Sequence, residues 1–153
     1  MIRVLFVCLG NICRSPMAEA VFRHMVNQEG LAGEFEIDSA GTGFWHVGEP
    51  PHPGTRNVLA SHGIACSGRA RQVSPKDLEY FDWVVAMDDE NYQDLVAMGR
   101  PRGRLVRLAD YVRTPGVDGV PDPYYTGGFD RVFEIVWDGC RGLLEAILQE
   151  AAR

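Results

Sequence analysis

The segment Cys8-Leu9-Gly10-Asn11-Ile12-Cys13-Arg14-Ser15 places a thiol and a guanidinium with five residues between them. Backbone that curls over such a span turns its N–H groups inward, into an anion-binding nest. A helix starting just beyond adds its own free amides. Arg14 supplies a planar fork matched to two oxygens of a phosphoryl group. The same positive field favours an anionic sulfur at Cys8, and a thiolate beside bound phosphate is a nucleophile for phosphoryl transfer. The plainer alternative is a buried cysteine at the end of a core strand, with Arg14 solvated on a helix. Context separates the two. Of the four cysteines (Cys8, Cys13, Cys66, Cys140), Cys8 alone has an arginine six positions on, and alone stands between an apolar run and a helix start.

The elements that must position this segment are legible in outline. Residues 2–7 read as a buried strand. Pro16 suits a first helical position with Ser15 as N-cap, and Ala18, Val21, Phe22 and Met25 recur at helical spacing, so a helix is expected over 16–28. Residues 35–40 alternate like a strand, and a Gly/Pro-rich loop runs over 41–53. Helical patterns follow at 54–62, at 75–79 (a single turn) and at 89–98; strands are expected at 82–87 and 105–108. A long loop, about 110–128, carries Pro115, Pro121 and Pro123. A last helix shows one apolar stripe through Phe129, Phe133, Val136, Cys140, Leu144 and Ile147. Strands that alternate with helices predict an α/β fold: a small, doubly wound, four-stranded parallel sheet with helices on both faces. In such folds ligands bind outside the carboxyl ends of the strands. The loops at 8–15, 41–53 and 109–128 emerge there, and the last is long enough to suggest a lid.

Composition bounds the rest. The 153 residues are 46% hydrophobic and 24% charged, which excludes a disordered or low-complexity chain and predicts a single domain over 1–153. A net charge of −6 with scattered basic residues argues against a nucleic-acid surface. The apolar run after Met1 is too short for a signal sequence or a membrane span. A cytoplasmic location with four reduced thiols is therefore expected. Cys8 and Cys13 have no histidine near them in sequence, so no metal site is expected.

The segment from Cys8 to Pro16 resembles the phosphate-loop signature of the low-molecular-weight protein tyrosine phosphatases. Asp122-Pro123-Tyr124-Tyr125 resembles the general-acid motif of that family. Ser39-Ala40-Gly41-Thr42, Ala70-Arg71-Gln72 and Met87-Asp88 also fall where that family has similar segments, so the resemblance spans nearly the whole chain. It implies a flavodoxin-like fold and a two-step mechanism without metal or other cofactor, acting on a tyrosine-phosphorylated protein or small aryl phosphate. Cys8 would attack phosphorus. Arg14 and the amides of Leu9, Gly10, Asn11, Ile12, Cys13 and Arg14 would hold the equatorial oxygens. Asp122 would protonate the leaving phenolate and then activate water. Asn11, Ser15 and Ser39 would brace the loop; Trp45, Tyr124 and Tyr125 would wall an aromatic pocket. Cys13 sits where the family often has a second cysteine able to form a reversible disulfide with the nucleophile. A monomer or weak homodimer is expected.

The physics fits those roles. Charge redistributed during phosphoryl transfer calls for donors fixed in advance. A phenol has a pKa near 10, so an acid at its oxygen matters at neutral pH. Trp45, on a Gly-rich loop, suits an aromatic substrate; its alternative is packing of the loop on the domain. Trp83 and Trp137 are expected in the core, Cys66 and Cys140 inert. His24, His46, His52 and His62 show no clear partner. One departure is visible: Gly68 stands where several family members carry a histidine that supports the loop. Two rival chemistries share the scaffold. A thiol-dependent arsenate reductase needs two further cysteines after the third strand, and residues 82–100 contain none. A protein-arginine phosphatase is closer, but that branch tends to carry Thr where this chain has Ile12.

Overall fold

The computed structural model describes residues 1–152. Four strands, β1 (Ile2–Cys8), β2 (Phe35–Gly41), β3 (Trp83–Ala86) and β4 (Arg104–Arg107), form one sheet in the order β2-β1-β3-β4, every pair parallel. Five helices surround it: α1 (Arg14–Gln28), α2 (Pro53–Ser61), α3 (Pro75–Tyr80), α4 (Asp89–Met98) and α5 (Phe129–Ala151). The chain leaves β1 toward β2, then crosses to β3 on the other side. That reversal opens a crevice at the carboxyl ends of β1 and β3.

Side chains alternate across β1, and the alternation decides what each face covers. Val4, Phe6 and Cys8 join the larger core, with Phe22 and Met17 of α1 and Val136 and Cys140 of α5. Leu5 and Val7 point the other way, against Val73, Leu78 and Phe81 near α3 and Leu95 of α4. Phe6 meets Phe22 edge-on at 5.5 Å, and Phe22 meets Phe35 at 5.7 Å. Cys8 thus shares a face with fully buried phenylalanine, and the strand end that carries it is fixed by packing on both sides.

The expected elements match closely, with differences at their ends. α1 begins at Arg14 rather than at Pro16. Cys13, not Ser15, is its N-cap, and no side chain caps it. Ser15 is drawn away because its hydroxyl is engaged inside the preceding loop. α2 takes His52 as its cap, with Nδ1 accepting from Gly54 N at 2.9 Å. β4 stops at Arg107, where Leu108–Tyr111 tightens into a 3-10 turn. Trp83 lies in the core, whereas Trp137 is only half-buried, against His24 and Phe133. Among the described residues, no helix is long and apolar enough to cross a membrane.

Candidate active site

The loop between β1 and α1 closes through Asn11. It is the one non-glycine among the described residues with positive φ, at 57°. That left-handed turn reverses the chain above Cys8, at a cost an asparagine bears better than most side chains. The Asn11 side chain then spends all its polar atoms locally. Nδ2 donates to Ser15 Oγ at 2.8 Å and to Ser39 Oγ at 2.9 Å; Oδ1 accepts from Arg71 N at 3.0 Å. Ser39 Oγ donates onward to Glu19 Oε1 at 2.6 Å. Arg71 is itself fixed by a two-pronged contact with Asp77 and by Asp38. Gly41, the last residue of β2, lets the loop come close: a Cβ there would stand 2.7 Å from Leu9 O. The segment around Gly68 contributes through the Arg71 backbone. Gly68 has φ +97°, a conformation a histidine would adopt only with strain.

Two contacts converge on the Cys8 sulfur. Asn11 N donates to it at 3.3 Å, and Ser15 Oγ lies 3.0 Å away. Cys8 is 2% exposed and Arg14 3%. The Arg14 guanidinium is aimed by Asp88, whose Oδ2 accepts from Nη1 at 2.6 Å, and by the Val120 carbonyl at 3.2 Å. Nη2 reaches Asp122 Oδ2 at 3.4 Å, while Nε is buried without a partner. Burial works against that cation, but Cys8, Asp88 and Asp122 outweigh it and hold Arg14 above its ordinary range. Among the described residues, the amides of Gly10, Ile12, Cys13 and Arg14 likewise donate to no protein acceptor. A cup with an unpaired guanidinium N–H and several free amides is a receptor for an oxyanion. Burial, then the charge on Cys8, pushes the Cys13 thiol up to about 12, so it stays protonated beside its neighbour. All four cysteines are free thiols; Cys140 is fully buried and pushed upward by burial alone, and Cys66 is half-buried.

Above the cup lies a cavity of about 340 Å³ lined by residues of all three loops at the carboxyl ends of the strands. Leu9, Gly10, Ile12 and Cys13 form one side with Cys8 and Arg14; Trp45, His46, Asp122, Tyr124 and Tyr125 form the mouth. Trp45 is 62% exposed, stacks on Phe44 at 5.4 Å between ring centres, and lies over Gly43. Tyr125 is 89% exposed and meets Tyr124 edge-on at 4.7 Å. Asp122 Oδ1 accepts from Tyr124 N at 3.1 Å, which turns its other oxygen toward the cup. All these cavity residues had been singled out in sequence except His46. Ser39 and Ser15 lie behind the wall rather than in the cavity, bonded to the loop.

Three participants were given no role in sequence. Asp88 caps α4 through Oδ1, at 2.7 Å from Asn91 N, and uses its second oxygen on Arg14. Its visible signal was an aspartate at the end of a strand, where a helix cap is expected anyway. His46 is no mere surface residue: it sits against Gly10 in the cavity wall, with Nδ1 2.9 Å from Glu49 Oε2. His52 stacks on Phe129 at 5.0 Å and meets Tyr124 edge-on at 5.9 Å, and its backbone N donates to Ile12 O at 2.8 Å.

Comparison with known proteins agrees with this geometry. The family model described as low molecular weight phosphotyrosine protein phosphatase matches residues 3–153. The low molecular weight protein-tyrosine-phosphatase YfkJ of Bacillus subtilis is 51% identical over 153 residues, 98% of each chain, and its crystal structure superposes with a TM-score of 0.94. The protein-tyrosine-phosphatase PtpA of Staphylococcus epidermidis is 41% identical, covering 99% of this chain and 97% of its own. A protein tyrosine phosphatase from Entamoeba histolytica, crystallised with Hepes in its active site, is 36% identical with a TM-score of 0.94 and covers 99% of each chain. A Drosophila arginine phosphatase is 33% identical with a TM-score of 0.89, over 94% of this chain and 96% of that one.

Proposed function

Given that the chain belongs to the low molecular weight protein-tyrosine-phosphatase family, we propose that it hydrolyses phosphotyrosine through a phosphocysteine on Cys8, with Asp122 as acid and then base. The observation that supports this most is the buried cup itself. One sulfur, one guanidinium with an unpaired Nε and several unpaired amides face a cavity whose rim holds a carboxylate.

The phosphoryl group enters with its three equatorial oxygens toward Arg14 and the loop amides. Donors already fixed by Asp88, Asn11 and the neighbouring backbone need no reorganisation as charge shifts in the transition state. Cys8 Sγ, as a thiolate, attacks phosphorus from within the cup. The bond to the phenolic oxygen breaks, and the Asp122 carboxylic acid gives its proton to the departing oxygen. Water then attacks the phosphocysteine while Asp122 takes one of its protons. The products are inorganic phosphate and the restored thiolate. Ser15 Oγ, 3.0 Å from the sulfur, can donate to it each time it departs as an anion. Trp45, Tyr124 and Tyr125 hold the ring of the substrate, and Ser39 keeps Asn11 in place.

We further assign Cys13 a protective role. Peroxide oxidises the Cys8 thiolate to a sulfenic acid; the Cys13 sulfur attacks that sulfur, water leaves, and a disulfide remains. Two equivalents of an external thiol then reduce it by exchange. The protein acts, in this reading, as one phosphatase domain in the cytoplasm, on phosphorylated proteins or small aryl phosphates, as a monomer or weak homodimer.

The decisive measurement is a hydrolysis panel of phosphotyrosine, phosphoarginine, phosphoserine, and arsenate with thiol. Phosphotyrosine is expected to be cleaved with much the highest kcat/KM. Preference for phosphoarginine, or arsenate reduction, would replace this reading.

A further inference from the structure

Beside the catalytic cavity lies a second groove, of about 500 Å³. The two share Ile12, His46 and Tyr124, so a single layer of side chains separates them. The layer borders the mouth that a phosphotyrosine ring passes at Tyr124, so a residue flanking that ring comes within reach of the groove. The groove is therefore continuous with the substrate path. Its frame is stiff: Pro50, Pro51 and Pro53 line it, each with φ restricted by its ring.

It holds one unpaired cation. Arg56 lines the groove, and among the described residues no carboxylate lies within ion-pairing distance of it and no acceptor bonds its guanidinium. The other charged wall residue is Glu49, whose carboxylate is occupied by His46 Nδ1 at 2.9 Å. The groove also meets the first turn of α2, where Pro53 has no N–H to offer and His52 takes up the amides of Gly54 and Arg56, so the Arg56 side chain is the cationic donor there.

We propose that this groove is a subsite for the residue flanking phosphotyrosine, and that Arg56 selects an acidic side chain there. The proposal rests on the phosphotyrosine reading above and deepens it: the enzyme takes phosphotyrosine in an acidic peptide context. Arg56 touches no reacting atom; it sets specificity alone.

The test uses three phosphotyrosine peptides with Glu, Ala or Lys on either side of the phosphotyrosine, and p-nitrophenyl phosphate, which has no flanking residue. The wild type is expected to favour Glu over Lys by about fivefold in kcat/KM, as suits one solvent-exposed ion pair, and the ratio should shrink at 1 M salt. Arg56→Ala should bring the ratio close to one, and Arg56→Glu should invert it. Both variants should hydrolyse p-nitrophenyl phosphate as the wild type does. An undiminished preference in the variants, or none in the wild type, overturns the subsite while leaving the phosphatase intact. Failure of the wild type on every aryl phosphate, p-nitrophenyl phosphate included, overturns the underlying reading and the subsite with it.

Discussion

The loop that carries Cys8 and the loop that carries Asp122 face the same cavity, yet they are built in opposite ways. In the first, Cys8, Asn11, Ile12, Cys13, Arg14 and Ser15 are all buried, and their polar atoms are tied to β2, to Arg71 and to Asp88. In the second, Asp122 and Tyr125 stand exposed; the loop is clipped at Val120, whose N donates to Met87 O and whose carbonyl accepts from Arg14. The difference follows from the task of each. An oxyanion is held by dipoles that must not relax, which calls for a dry, over-determined nest. A proton donor must reach a leaving group of varied shape and later a water, which calls for access.

Replacing Cys8 by Ser tests the buried half most severely. Turnover should fall by at least about 10⁴-fold, as for other nucleophile losses, while calorimetry still shows phosphate binding. Substantial residual turnover would remove Cys8 from its role. Asp122→Asn tests the exposed half. Phosphotyrosine hydrolysis should slow by about 10²–10⁴-fold, with a smaller loss on an aryl phosphate whose leaving group needs no proton; equal losses would argue against acid catalysis.

Asn11→Ala asks whether bracing matters without any loss of a reacting group. It leaves Arg71 N without an acceptor and takes a donor from Ser15 Oγ and Ser39 Oγ, so stability should drop by about 1–3 kcal/mol in denaturant titration. The resulting misplacement should cost up to about 10²-fold in kcat. Cys13 sharpens the contrast within one loop. Its raised pKa means iodoacetamide at neutral pH should modify Cys8 and spare Cys13. Above the ordinary thiol pKa, the unfolded chain gives up a Cys13 proton that the folded chain keeps. The contribution of this thiol to stability should therefore decline as pH rises from there through about 12. After peroxide and then thiol, activity should recover in the wild type and less in Cys13→Ser; equal recovery would discard the protective role. The smallest effect belongs to the rim: Trp45→Ala should raise KM a few-fold, about the value of one aromatic contact, with kcat little changed.

The parts legible in sequence were those with local causes. The strand ending at Cys8, the helix after Pro16, the stripe of α5 and the long acid loop each left a periodicity or a proline signature within a few residues. The parts that were not legible depend on distant chain. Asp88 was visible only as part of a segment similar to the family's, without a role; it caps α4, and only the fold brings its second oxygen to Arg14, 74 positions away. His46 became a wall through the path of a Gly-rich loop, which no periodicity encodes. Ser15 illustrates the reverse error: its local preference for a helix cap lost to two partners, Cys8 and Asn11, that the closed loop placed within reach.

The unpaired Nε of Arg14 carries a thermodynamic consequence. An oxyanion that accepts from this buried donor binds the folded chain and not the unfolded one, so folding and binding are linked, and anything tetrahedral and anionic should raise the melting temperature. The receptor does not distinguish an ester about to be cut from the orthophosphate left behind. The waste of each cycle therefore competes for the vessel that made it, and accumulating end product should throttle the enzyme.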